Sequence, residues 1–135
     1  MKRFVVLFFM VVGGVLYCQN VSLTVNVTGF KNNKGKVMVA MYDSEGNFLK
    51  KMIFGAVGKI EQQKSKVVFE KIPVGVYAVS LFHDENDNNK LDTNFMGIPK
   101  ERYASSNDAK GFMGPPKYDD AKFELKKDKV INLKL

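Results

Sequence analysis

An Asp- and Asn-rich segment, residues 84–92, carries the side chains whose types and spacing are best suited to chemistry. Oxygen-bearing side chains stand at its first, third, fifth and ninth positions, which are Asp84, Asn86, Asn88 and Asp92. A calcium loop offers its ligands in this order, and its seventh position, here Lys90, contributes a backbone carbonyl. Because Ca²⁺ takes about six to eight oxygen ligands, the spacing predicts a Ca²⁺ site at these five residues.

Two positions of this loop depart from an EF-hand. Asn89 stands where an EF-hand has glycine, and asparagine tolerates the left-handed backbone that the turn needs. Phe95 stands where an EF-hand has a bidentate glutamate, so a tight site needs a carboxylate from elsewhere. The candidates are Glu101, Asp108, Asp119 and Asp120. A surface turn without metal remains the alternative, because Asn and Asp side chains also hydrogen-bond to their own backbone.

The only histidine, His83, directly precedes the loop and suggests a second hypothesis, a small hydrolase that uses His83 and residues 97–107. Ser106, His83 and an aspartate have the residue types of a catalytic triad, but the serine lacks the context of a nucleophile elbow. A single histidine also makes zinc an unsuitable metal. We predict a non-enzymatic protein.

The surroundings of His83 distinguish the two hypotheses. A cleft with Ser106 or a carboxylate beside His83 favours the hydrolase, and a His83 ring that donates to backbone under the loop favours a structural role for this histidine.

The stretch after the loop predicts a surface for a partner, which we expect to be a glycan or protein of the cell envelope or the extracellular medium. Tyr103, Phe112 and Tyr118 are suited to an aromatic platform for a sugar or peptide, although packing onto the end of the sandwich is the more ordinary role for aromatic residues. The predicted partner-binding residues are His83, Glu101, Tyr103, Ser106, Asn107 and Phe112.

The amino-terminal segment has the pattern of a secretory signal. Lys2 and Arg3 precede an apolar run, residues 4–16, that is too short to span a bilayer. We predict a signal peptide at residues 1–18, export to the periplasm or the medium, and no membrane span after its removal. Lipidation at Cys18 is a second interpretation, disfavoured because bulky Tyr17 stands where lipoproteins have a small residue. No other cysteine follows, which excludes disulfide and thiolate chemistry in the remainder.

Composition predicts one domain, residues 19–135. The whole chain has 21 basic and 14 acidic residues; without Lys2 and Arg3 the counts are 19 and 14, a net charge of +5. This excess lacks the arginine clusters and stacking aromatics of a nucleic-acid surface, so we expect no nucleic-acid partner.

Short apolar patterns separated by turns predict an all-β fold. Residues 21–28 alternate, and residues 36–42 form an apolar run that we expect to pair with them as a hairpin. Residues 65–72, 118–125 and 130–135 also alternate, whereas 76–82 is apolar on both faces and should be central. The pattern of residues 47–54 does not decide between helix and strand, and residues 93–117 form a long aperiodic connection. Together these predict an antiparallel β-sandwich of about seven strands, prealbumin-like or Ig-like, with one long loop.

One set of residues in the second half of the chain carries a family resemblance. These residues are His83 to Asn86, Asn88, Leu91 and Asp92, Gly97 to Pro99, Glu101, Tyr103, Ser106 and Asn107, Pro116, Tyr118, Ala121 and Phe123. With them, the chain from Val21 onward resembles a family of exported bacterial proteins known as domain of unknown function twenty-one forty-one. The resemblance implies a single β-sandwich, similar to prealbumin-like or carboxypeptidase-regulatory-like modules, with no established enzyme activity. Asn89 and Ala104 stand where that family has glycine.

Overall fold

The computed structural model describes residues 19–135. The predicted signal peptide, with Cys18, lies outside the described residues. The described chain contains eight strands, one 3₁₀ turn at Ser106–Asp108 and one short helix, α1, at Tyr118–Ala121. The strands are β1 (Asn20–Thr28), β2 (Lys36–Tyr42), β3 (Phe54–Lys59), β4 (Ser65–Pro73), β5 (Gly75–Asp84), β6 (Tyr103–Ser105), β7 (Phe123–Leu125) and β8 (Lys129–Lys134). The predicted all-β sandwich is confirmed, with eight strands instead of about seven.

The strands form two sheets. The three-stranded sheet has the order β4-β1-β8, in which β1 pairs antiparallel with β4 and parallel with β8. The larger sheet has the order β3-β2-β5-β6, and β7 pairs with the first residues of β5. Strand β5 therefore has neighbours on both sides, which confirms the prediction that this apolar strand is central.

The core lies between the facing sides of the two sheets. Alternate residues of β1 are buried, including Leu23 and Val25, and the polar residues between them are half-exposed. Val39 of β2, Phe69 of β4 and Leu81 of β5 belong to the same buried cluster. Burying a side chain of this size stabilises the fold by roughly 1.5 to 3 kcal/mol, so the apolar alternation of these strands is what holds the sheets together.

The predicted hairpin of β1 with β2 is wrong, since the two strands belong to different sheets. Residues 29–35 cross from one sheet to the other instead of turning back within one. Phe30 in this crossing is buried, and its ring meets the ring of His83 edge-on at 5.0 Å. Burial of Phe30 at the end of the core favours the crossing over a hairpin. The contact of Phe30 with His83 joins distant parts of the chain, so the local sequence pattern does not predict it.

Two other segments depart from their sequence patterns. Residues 93–117, expected to be one aperiodic connection, contain β6 and the 3₁₀ turn. Residues 118–125 were expected to be one strand, but the first half forms α1 and only Phe123–Leu125 is a strand. Helical winding buries both Tyr118 and Ala121, and the Tyr118 ring packs against Phe48 with a centroid distance of 5.8 Å. The undecided segment, residues 47–54, is mostly a turn that ends where β3 begins. No helix among residues 19–135 is long and apolar enough to cross a membrane.

Candidate functional site

Strand β5 ends on two fully buried polar residues, His83 and Asp84, which stand opposite Val37 and Lys36 of β2. The carboxylate of Asp84 accepts hydrogen bonds from the backbone N–H groups of Asn88 (3.3 Å) and Asn89 (2.8 Å). These bonds close residues 84–89 into a tight turn in which Asn89 has a φ of 63°. Asn89 thus adopts the left-handed backbone that asparagine tolerates.

Lys36 provides a cation to this half of the loop. Its ammonium group hydrogen-bonds to Oδ1 of Asn89 and lies 3.9 Å from Oδ2 of Asp84 and 3.8 Å from Oδ1 of Asp87. Gly35, just before it, has a φ of +66° and packs so closely that a Cβ there would lie 1.9 Å from the Asp84 carbonyl oxygen. Asp84 is thus enclosed by β2, its own loop and a protein cation.

The other half of the loop gathers three predicted ligands around one point. The side-chain amides of Asn86 and Asn88 each donate to a different oxygen of Asp92, both at 2.6 Å. Asn88 also accepts from the backbone N–H of Lys90 at 3.0 Å. A half-turn of either amide exchanges its N–H₂ group for its oxygen, so these side chains can offer oxygen to the same point.

Glu101 fixes the two ends of the loop to each other. Its carboxylate accepts from the backbone N–H of Glu85 at 2.8 Å and from that of Asp92 at 2.9 Å. Glu101 is only 9% exposed, so these two bonds are shielded from solvent. Each carboxylate oxygen has two lone pairs, so both oxygens keep acceptor capacity after these bonds.

Hydrogen bonds keep Asp92 ionised. Those from Asn88 and then Asn86 hold the pKa of Asp92 below its ordinary value, with smaller contributions from Glu101 and Lys100, while partial burial opposes them. A lowered folded-state pKa contributes stability above the unfolded-state pKa, and that stability is lost as the pH falls through the folded value. Asp92 therefore carries a negative charge at neutral pH.

The five predicted metal ligands are accordingly divided. Asn86, Asn88 and Asp92 come together, and Glu101, one of the carboxylates considered as an additional ligand, is linked to them through the backbone N–H of Asp92. Asp84 is occupied by backbone N–H groups beside Lys36, and Lys90 meets the cluster through its N–H instead of its carbonyl. Within residues 19–135 no group of three or more His, Cys, Asp or Glu side chains is placed to hold a metal ion, so a site here depends on amide oxygens.

His83 has a structural environment. Its Nε2 lies 2.6 Å from the carbonyl oxygen of Lys34, and because a carbonyl only accepts, Nε2 carries the proton. Nδ1 then faces Oε1 of Glu85 at 3.8 Å, too far for a hydrogen bond. The ring is fully buried under the crossing of residues 29–35, which is the arrangement expected of a histidine that positions backbone.

Ser106 is also structural in this arrangement. Its hydroxyl accepts from the N–H of Val79 at 2.9 Å and donates to the carbonyl of Ala121 at 2.5 Å, and the residue is 1% exposed. Val79 and His83 are four residues apart on β5, roughly 13 Å. Ser106 and His83 therefore do not form a nucleophile–base pair, and the burial of both does not fit their predicted contact with a partner.

Of the other predicted partner-binding residues, Glu101 is buried, which does not fit contact with a partner, and Tyr103, Asn107 and Phe112 stay at the surface. Tyr103 is 47% exposed and Phe112 is 93% exposed, whereas Tyr118 is buried, so the three aromatics do not form one platform. Asn107 is exposed but donates to the carbonyl of Lys122 at 2.8 Å, which ties the 3₁₀ turn to the end of α1.

Sequence reasoning missed two contributors to this site, Lys36 and Gly35. Both precede the loop by about fifty positions, and only the pairing of β2 with β5 brings them to Asp84. The local signal is the tripeptide Lys34-Gly35-Lys36, in which the sequence pattern assigns Gly35 to a turn and Lys36 to the start of a strand, without a role for either at the loop.

Two packed sheets with a carboxylate-braced Asx loop define a small β-sandwich module. The chain belongs to the bacterial family DUF2141, described as "Uncharacterized protein conserved in bacteria", because the family model matches residues 25–132, well over half of the chain. The matched range includes the loop, Glu101 and the long connection. The family resemblance seen in the sequence is confirmed. A comparison with curated proteins gives no match.

We expect Glu101→Ala to lower the free energy of unfolding by about 1 to 3 kcal/mol, because it leaves two backbone N–H groups without their acceptor. Urea denaturation measures this cost. Glu61→Ala is the matched control: it removes an exposed glutamate whose ion pair with Lys59 (3.2 Å) is solvated, and should change stability by less than about 0.5 kcal/mol. Equal effects of the two substitutions would contradict the proposed bracing.

The adjacent serines Ser105 and Ser106 provide a second test. Ser106→Ala leaves the buried N–H of Val79 without its acceptor and should lower the free energy of unfolding by about 1 to 3 kcal/mol. The Ser105 hydroxyl is buried without a hydrogen-bond partner, so Ser105→Ala should be neutral or stabilising. Thermal unfolding of both variants measures the difference. A neutral Ser106→Ala variant would show that its hydroxyl is not structural and would reopen a chemical role.

Proposed function

We propose that this protein is an exported, non-enzymatic β-sandwich module that binds Ca²⁺ through Asn86, Asn88, Asp92 and Glu101. In this proposal Asp84 and Lys90 shape the loop, and the ion orders the connection that follows it. The connection then presents its exposed residues to a partner at the cell envelope or outside the cell.

The observation that supports calcium is the placement of two carboxylates at one end of the loop, where Glu101 accepts from the backbone N–H of Asp92 at 2.9 Å. Neighbouring carboxylates repel each other, and a bound cation offsets that repulsion. Two asparagine amides face the same point, and their oxygens complete a set of hard ligands of the kind that Ca²⁺ prefers. Lys36 serves the opposite half of the loop, where it neutralises Asp84 and Asp87.

The expected affinity is weak. Two carboxylates and two amides carry less charge than an EF-hand site, so the dissociation constant should be that of extracellular modules, about 10⁻⁴ to 10⁻³ M. Such an affinity suits a protein outside the cytoplasm, which is one reason why the proposal includes export. Backbone carbonyls or water complete the coordination.

The proposed partner, a glycan or a protein, contacts residues that are exposed after the loop. Tyr103 and Phe112 are available as apolar contacts, and Asn107 lies beside α1. The buried His83 and Ser106 are not part of this surface. The geometry of these two residues offers no support for the hydrolase alternative.

Calorimetric titration tests the metal site. We expect Ca²⁺ to bind the native protein and to bind Asp92→Asn at least about tenfold more weakly, because a ligand carboxylate is lost. Asp87→Asn is the control, since it removes the same charge from a position whose side chain is 63% exposed and faces Lys36. Absence of binding to the native protein, or equal weakening by both variants, would falsify the site and leave a metal-free turn.

The ordering role is tested by limited proteolysis with trypsin, which cuts after Lys and Arg. At an ion concentration ten times the dissociation constant, Ca²⁺ stabilises the bound form by about 1.4 kcal/mol. Cleavage after Lys100, Arg102 and Lys110, all exposed, should therefore slow about tenfold relative to chelator. Protection should persist in Asp87→Asn and disappear in Asp92→Asn. Cleavage that is equally slow in chelator means that the connection is ordered without metal.

A further inference from the structure

The long connection displays the same tripeptide, Phe-Met-Gly, at two exposed turns. Phe95 and Met96 of the first are 97% and 69% exposed, and Phe112 and Met113 of the second are both 93% exposed. Ile98 adds a further side chain that is 53% exposed. Residues of these types are normally buried in a core, so their repeated exposure indicates a surface with an apolar occupant.

The first turn is held in place by its own backbone. The N–H of Asn94 donates to the carbonyl of Ile98 and the N–H of Gly97 donates to the carbonyl of Asn94, both at 2.9 Å. The Asn94 side chain accepts from the N–H groups of Met96 (2.9 Å) and Ile98 (3.0 Å). Phe95 and Met96 therefore project from a turn whose polar backbone groups are largely satisfied from within.

The second turn is equally constrained. Gly111 packs so tightly that a Cβ there would lie 1.8 Å from the carbonyl oxygen of Gly114, and Met113 has a φ of 55°. This close approach folds the chain back on itself and directs Phe112 and Met113 outward. Only glycine fits at position 111, so the protruding conformation of this turn requires the glycine found there.

Cations flank both turns. Between residues 93 and 117 the exposed charged residues are Lys100, Arg102, Lys110 and Lys117 on the basic side and Asp108 alone on the acidic side, since Glu101 is buried. An anionic surface that also accepts apolar side chains complements this arrangement. The headgroup region of an anionic lipid bilayer has both properties.

We propose that the two Phe-Met-Gly turns dock the protein onto an anionic lipid bilayer, with Phe95, Met96, Phe112 and Met113 in the acyl boundary and the lysines at the headgroups. The tips offer apolar side chains where a sugar needs hydrogen-bonding groups, so in this proposal Phe112 contacts lipid, and Tyr103 and Asn107 are left to the glycan or protein partner. Internal hydrogen bonding also suits the first tip to lipid, which cannot satisfy backbone groups. The proposal does not depend on calcium binding.

Vesicle co-sedimentation tests this docking. We expect the native protein to bind vesicles of phosphatidylcholine and phosphatidylglycerol in equal parts, and to bind pure phosphatidylcholine much less. The double variant Phe95→Ser/Phe112→Ser should bind at least about tenfold more weakly, since it removes two inserted aromatic side chains. Lys110→Gln/Lys117→Gln should lose about fivefold per cation, on anionic vesicles only.

The matched control is Val57→Thr/Val130→Thr, which removes apolar surface that is 59% and 58% exposed on strands outside the connection. It should bind vesicles as the native protein does. All variants keep residues 1–18, so any affinity of that segment is common to them, and unchanged thermal unfolding confirms their folds. Equal vesicle binding by the phenylalanine and valine variants overturns the proposal. Failure of the native protein to bind vesicles also overturns the proposal. If light scattering then shows dimers that require Phe95 and Phe112, the occupant of the tips is a second copy of the chain.

Binding measured in calcium and in chelator separates this proposal from the metal site. Tip-dependent binding that is equal in both supports lipid docking and leaves the Ca²⁺ proposal to its own titration. Binding that is present only in calcium and absent in Asp92→Asn supports docking and shows that the ion orders the first turn. Binding that is undiminished by loss of both phenylalanines contradicts docking through the tips, whatever the result with calcium.

Discussion

Capture of backbone N–H groups by buried carboxylates holds the functional end of this sandwich together. Most backbone N–H groups of residues 84–101 have no partner in a sheet. The carboxylates of Asp84 and Glu101 each accept hydrogen bonds from two of these N–H groups. A buried donor without an acceptor costs about 1 to 3 kcal/mol, so each carboxylate decides whether this aperiodic chain is ordered. The positions of the amide cluster and of the turn beyond it follow from these four bonds.

The same bracing accounts for the display of apolar side chains by a loop. Lys100 donates its N–H to the carbonyl of Asp92 at 2.7 Å, directly beside Glu101, so the base of the first Phe-Met-Gly turn is continuous with the braced loop. Ser106 performs the corresponding role further along, where its hydroxyl joins β5 to the end of α1. Polar bonds at the base of each turn replace the core contacts that its exposed Phe and Met residues do not make.

Local pattern predicted the elements whose stability is local and missed those that depend on distant partners. The alternation of β1 and the apolar run of β5 identified both strands. Burial of one face of β1 requires apolar residues at alternate positions, and burial of both faces of β5 requires a continuous apolar run. The sheet to which β2 belongs depends on Phe30 reaching His83, and α1 depends on Tyr118 packing against Phe48. At the site, the spacing from Asn86 to Asp92 was sufficient to group three side chains. Lys36 could not be placed, since its contact with Asp84 exists only through strand pairing.

The parallel pairing of β1 with β8 has a consequence for the order of folding. Asn26 and Asn132 hydrogen-bond across this pair although they are 106 positions apart in the chain. Pairings of such separation form slowly, because most of the chain must be confined before they contribute. Until β8 arrives, β1 presents an apolar strand with one open hydrogen-bonding edge, which is the geometry that recruits a second chain. The smaller sheet is therefore the part of this molecule most exposed to misassembly during folding.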